Sequence, residues 1–172
     1  YTWLRLNDNQ GKGWNGCISL PVRLSLAEDG SLIQEPVPEL KTLRGTHANA
    51  AVSNGSKVIA EGSAVEIQAE FENTSGGRCG LRICGADVVY ENGSLNVMGH
   101  TVSGLKPEGS DETLKLHIFI DRSIAEVFIN GGKQVVMQKF RPANPGNLAI
   151  ACFAEGGPKG TVAVWQMNAI WE

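Results

Sequence analysis

Asp121 and Glu126 flank the polar turn Asp121-Arg122-Ser123. Two carboxylates this close to one turn could share acid and base work on a substrate. Alternation along the chain sets a limit on that reading. Glu126 shares a face with Ile124 and Phe128, while Ala125, Val127 and Ile129 take the other. If the Phe128 face is buried, Glu126 is a buried carboxylate that needs a partner. Arg122, Lys139 and Arg141 are candidate partners. Asp121 and Ser123 are of the types that accept backbone N–H bonds within turns. The group therefore reads as the fastening of a hairpin. A second constellation, Ser123 with His117 and Asp121, has the residue types of a nucleophile, base and orienter. It lacks the Gly-x-Ser-x-Gly elbow that would expose the serine. His47, His100 and His117 are scattered, and no Cys/His spacing matches a zinc site. The segments 80–85 and 156–160 are rich in glycine but lack the spacing and following helix of a phosphate loop. No catalytic residue, metal or cofactor is assigned from these residues.

The elements that must carry these side chains are strands. Ala64 to Glu72 places Val65, Ile67, Ala69 and Phe71 on one face and Glu66, Gln68, Glu70 and Glu72 on the other. That pattern predicts a half-buried strand with one wet side. Thr113 to Ile120 repeats it with Leu114, Leu116, Ile118 and Ile120. Leu116 to Gly132 reads as two apolar strands around a tight turn. Val135 to Phe140, Leu148 to Ala154 and Thr161 to Met167 add three more. Asp29-Gly30, Asn54-Gly55, Asn92-Gly93, Asn130-Gly131 and Pro145-Gly146-Asn147 supply the turns. Short strands at such intervals predict an all-β sandwich of two antiparallel sheets. Helix signals are confined to Pro38–Arg44, with Pro at a first helical position and Gly45 as a stop. The first forty-odd residues are richer in Trp and Pro, which places a boundary near Arg44-Gly45.

The chain has 172 residues, of which 42% are hydrophobic and 19% charged, with a formal charge of −3. That length suits one domain with an appended piece and buries roughly 70% of its unfolded surface. No cluster of Lys or Arg forms a footprint for nucleic acid or an anionic membrane. No apolar run reaches the roughly 18 residues that cross a bilayer. Tyr1 opens without a basic n-region, so no signal peptide is expected within these residues. Cys17, Cys79, Cys84 and Cys152 allow three pairings if oxidised. Cys79 and Cys84 would bridge only across a bend, and the plainer expectation is buried free thiols. Asn54, Asn73 and Asn92 begin Asn-x-Ser/Thr sequons at predicted turns, where a glycan would be tolerated. Trp165 shares a face with Ala163 and Met167 and is expected, with Trp171, in the last strands, Trp165 in the core.

Two segments carry a family resemblance. One runs from Gly13-Trp-Asn-Gly16 through Leu20-Pro-Val-Arg23 and Asp29-Gly30 to Gln34-Glu-Pro36 and Glu39-Leu-Lys-Thr-Leu-Arg44. The other is the hairpin with Asp121, Ser123, Glu126 and Phe128, followed by Gly132 to Phe140. In that order and separation they resemble the region after the catalytic domain of glycoside hydrolase family 32, the invertases, levanases and inulinases. Val22 departs from the family pattern by separating Pro21 from Arg23. The resemblance implies a jelly-roll, concanavalin-like sandwich over residues 45–172. Residues 1–44 would then be the tail of a five-bladed catalytic β-propeller and a connector. It implies a parent enzyme that hydrolyses β-fructofuranosides with retention, using carboxylates roughly 5 Å apart. The family's Trp-x-Asn-Asp-Pro-Asn-Gly, Glu-Cys and Arg-Asp-Pro motifs, which hold those carboxylates, do not occur here. The implied role is a non-catalytic brace for the propeller, with a fructan-binding, lectin-like module as the alternative. Trp3 and Trp14, in the propeller tail, are the candidate contact residues for the partner domain or for fructan oligosaccharides. The family also implies an extracellular or periplasmic location.

Overall fold

A computed structural model describes residues 16–142, 144 and 146–170 with their side chains, and residues 3–5 as backbone. Its strands in chain order are β1 (Trp3–Arg5), β2 (Gly16–Ile18), β3 (Val22–Leu26), β4 (Leu32–Pro36), β5 (Arg44–Val52), β6 (Gly55–Glu61), β7 (Ala64–Glu72) and β8 (Arg78–Ile83). They continue as β9 (Ala86–Glu91), β10 (Ser94–Val97), β11 (His100–Ser103), β12 (Leu114–Asp121), β13 (Ile124–Ile129), β14 (Gln134–Lys139), β15 (Ala149–Glu155) and β16 (Lys159–Met167). One 3₁₀ helix, Pro38–Leu43, starts at the proline expected to open it.

Strands β5 to β16 build two six-stranded sheets, ordered β14-β13-β12-β7-β16-β5 and β11-β10-β9-β8-β15-β6. This is the all-β sandwich that the alternation predicts. Register explains why the faces hold. Across β7 and β12, Phe71 stands opposite Leu114, Ile67 opposite Ile118 and Val65 opposite Ile120. These rows meet Leu81 and Ile83 of β8, Val88 of β9, Leu95 and Val97 of β10 and Ile150 of β15 in one buried core. A slip of one residue would turn every one of those side chains outward. Cys79, Cys84 and Cys152 lie in this core as free thiols. Burial pushes the Cys79 and Cys152 thiols up to about 12, so both stay protonated and act as small apolar groups.

The first sheet is buried on both faces at one end. Its outer face carries a second apolar cluster of Leu40, Phe119 and Phe128. Leu20, Val22, Val37 and Leu43 of the connector pack against it, with Val135 and Met167. The connector is therefore a strap laid across the β12–β13 hairpin. Its far side is pinned at Gly132, whose carbonyl accepts the Gln34 N–H at 3.0 Å. Gly132 has φ 86, and a Cβ there would lie 2.0 Å from the Gln34 oxygen. Only glycine permits that approach.

Candidate functional site

The side chains with chemistry in them gather on the outer face of the first sheet. The hairpin comes first. Asp121 pairs with Ile124, and Phe119 pairs with Glu126. Asp121 and Glu126 are thus diagonal neighbours on one face. Asp121 is exposed, while Glu126 is only 6% exposed. Glu126 Oε1 accepts the backbone N–H of Leu20 at 2.8 Å. Its partner is a connector amide, where the sequence pointed to Arg122, Lys139 or Arg141. Among the described residues, no ion pair reaches Glu126. Burial pushes its carboxyl above the usual range, and the Leu20 bond pulls the other way. Cys17 lies close by, its thiol raised by burial and then by the charges of Glu126 and Asp121.

Asp121 was expected to accept backbone N–H bonds in its turn. Among the described residues no hydrogen bond to its carboxylate is found. The turn is closed by backbone groups instead. The Arg122 N–H donates to Ser63 O at 2.6 Å, and Ser123 O accepts the Phe140 N–H at 2.9 Å. Arg122 takes φ 54, in the left-handed region. Phe128 packs edge-on to Phe119, with ring centroids 6.3 Å apart. The Ser123–His117–Asp121 set does not assemble, because His117 Nε2 is engaged by Glu66 Oε1 at 2.7 Å. A retaining glycosidase pair must present both carboxyls to one glycosidic bond. Here one oxygen of Glu126 is spent on Leu20, beneath the strap.

Sequence reasoning missed the neighbouring cluster. Glu66, assigned to the wet side of β7, is 1% exposed. Arg44 grips it with two bonds, Nε to Oε2 at 2.7 Å and an Nη to Oε1 at 2.5 Å. Burial opposes its ionisation, yet the bonds from Arg44 and His117 hold the carboxyl down to about 2. The same guanidinium sits 3.9 Å from the Trp165 ring centroid. His47 stacks on that ring at 4.8 Å and 20°. Trp165 therefore lies half-buried on the outer face, and its expected place in the core is wrong. Val162 and Val164 fill the core from β16. One signal for the cluster was present: Arg44 closes the Glu39-Leu40-Lys41-Thr42-Leu43-Arg44 segment, at the point where the connector enters the sheet.

The remaining candidates separate. His47 and His100 are exposed on different sheets. Among the described residues, no group of three or more His, Cys, Asp or Glu is placed to hold a metal. The side chain of Trp3, and all of Trp14 and Trp171, lie outside the described residues. Ile18, Leu24, Leu26 and Leu32 form a different kind of feature. On β2 and the β3–β4 ribbon they are 63%, 60%, 72% and 49% exposed. Leu26 pairs with Leu32, and alternation puts Leu24 on the same side. The ribbon presents a bare apolar edge.

Comparison with known proteins adds the following. The family described as "Glycosyl hydrolases family 32 C terminal" matches residues 39–172. A sucrose-6-phosphate hydrolase of Escherichia coli is 30% identical over 99% of the chain and 37% of its own length. A levanase of Bacillus subtilis (strain 168) is 29% identical over 98% of the chain and 30% of its own length. Among solved structures, a sucrose-6-phosphate hydrolase from Lactobacillus gasseri superposes with a TM-score of 0.74 at 25% identity. That match covers 98% of this chain and 38% of that one. An exo-inulinase from Aspergillus awamori shares the fold with a TM-score of 0.72 at 17% identity, over 93% of this chain and 37% of that one. The chain spans about a third of the length of each of these relatives.

Proposed function

The chain belongs to the C-terminal domain family of the glycosyl hydrolases of family 32, and from that premise we propose that it braces the catalytic domain of a larger β-fructofuranoside hydrolase. The relatives' names, sucrose-6-phosphate hydrolase and levanase, supply the substrate class. The observation that carries the reading is the bare edge of the β3–β4 ribbon. Leu24, Leu26 and Leu32 stand in water next to a strap that is otherwise well packed. Covering such side chains gains about 1.5–3 kcal/mol each. A partner domain that buries them meets the sandwich along the connector. Residues 1–44 form the link and residues 45–172 the sandwich in this account.

Asp121, Ser123, Glu126 and Phe128 are then structural. Glu126 ties down the strap near its start, and Glu66 with Arg44 ties down its end. The connector arrives at a set angle because both tethers are buried. The isolated chain releases no fructose from sucrose, inulin or levan in this reading. It co-elutes with the catalytic portion of the full-length enzyme when the two are mixed. Fructose release by the chain alone, or elution of the two parts as separate peaks, overturns the assignment.

A further inference from the structure

Beside the strap, the outer face of the first sheet holds an open groove of about 180 Å³. Gln68, Glu70, Lys115, His117, Phe128 and Gly131 line it. Its polar groups are in unusual condition. Lys115 stands directly opposite Glu70 across β12 and β7. Opposite charges in that position normally pair, yet no ion pair joins these two. Among the described residues the side chains of Gln68, Glu70 and Lys115 make no hydrogen bond or salt bridge. An amide, a carboxylate and an ammonium thus face one groove with their bonding capacity unspent. His117 is fixed in orientation by Glu66 and packs against Phe119, ring centroids 4.8 Å apart and tilted by 38°, so the ring forms a rigid part of the floor.

We propose that this groove is a binding subsite for a neutral sugar ring. The charge pattern carries the choice of ligand. Charges of both signs lie on opposite strands, so a ligand of either charge would meet a like group. A polyol meets no such penalty, since hydroxyls donate to Glu70 and accept from Lys115, and Gln68 does both. The His117 ring, 27% exposed, offers an aromatic surface to the C–H face of a sugar ring, and the buried Phe128 backs it from below. The volume suits one ring, with the open side leaving room for the rest of a chain. That the ring is a fructosyl unit rests on the function proposed above; that it is a sugar does not.

The test uses the 172-residue chain with kestose and maltotriose as separate probes, followed by amide chemical-shift mapping. Kestose is expected to shift resonances of β7, β12 and the turn at Gly131. Gln68→Ala and Lys115→Ala are each expected to weaken binding about tenfold, the loss of one good hydrogen bond. Lys57→Ala, on the other sheet, is expected to change nothing. Both groove variants replace side chains that hold nothing else, so the fold survives them. Shifts that map elsewhere, or no shifts with either probe, overturn the subsite and leave the bracing role untouched. Binding of maltotriose alone upholds the groove and contradicts a fructan-specific parent.

Discussion

Removing Arg44 isolates the electrostatics of the outer face. Arg44→Ala leaves Glu66, 1% exposed, with His117 as its remaining partner. Stripping one member from a buried pair costs about 3–5 kcal/mol. The titration of Glu66 gives a second, coarser figure, for Arg44 and His117 acting together. The Glu66 carboxyl lies near 2 in the fold against an ordinary 4.5. At about 1.4 kcal/mol per unit, that depression is worth about 3 kcal/mol. The direction of the pH effect follows. A carboxyl depressed by folding stabilises the fold fully above pH 4.5, and the contribution is lost as pH falls toward 2. In Arg44→Ala the burial cost dominates, so the carboxyl rises and the loss begins at higher pH. Urea unfolding, followed by tryptophan fluorescence from pH 7 downward, measures both effects. At neutral pH the variant should be about 3 kcal/mol less stable, or roughly 10 °C lower in Tm for a chain of this size. A double variant with Glu66→Ala should lose less than the two single losses added together. Equal stability at pH 7, or an unchanged acid limb, would show that the pair contributes nothing and that the reasoning is wrong.

Other substitutions test other parts. Gly132→Ala forces a methyl to within 2.0 Å of the Gln34 oxygen, so β4 must lift away; protease cleavage within residues 21–37 should accelerate while the two sheets keep their circular dichroism. Glu126→Ala removes the acceptor for the Leu20 N–H and should cost about 1–3 kcal/mol in urea unfolding. Glu126→Gln keeps an acceptor and removes a charge that burial disfavours, so it should match or exceed the parent's stability at pH 7. Leu24→Glu with Leu26→Glu changes only exposed positions; stability should stay within about 0.5 kcal/mol, while co-elution with the catalytic portion should be lost.

The sheets were legible because alternation repeats over many residues and each turn carries its own chemistry. The first sheet's outer face was not. Its burial depends on a strap from residues 16–43, and no local pattern records which strand that strap will cover. Glu66 illustrates the difficulty. Its neighbours Gln68 and Glu70 are polar and uncovered, so alternation assigns all three to water. The buried member differs only in lying under Arg44 and beside Trp165. Trp165 was placed on the wrong side because both faces of β16 are apolar. The smaller Val162 and Val164 fit between the sheets, while the larger ring needs the space outside. The burial of Glu126 followed from Phe128, yet its partner did not, since any residue can offer a backbone N–H and this one is 106 positions away.

The bracing role is tested most directly by the thermal inactivation of the catalytic portion of the full-length enzyme, measured alone and with this chain added. A longer half-life is expected on addition, with no gain from the Leu24→Glu, Leu26→Glu variant. An unchanged half-life with the unaltered chain would contradict it.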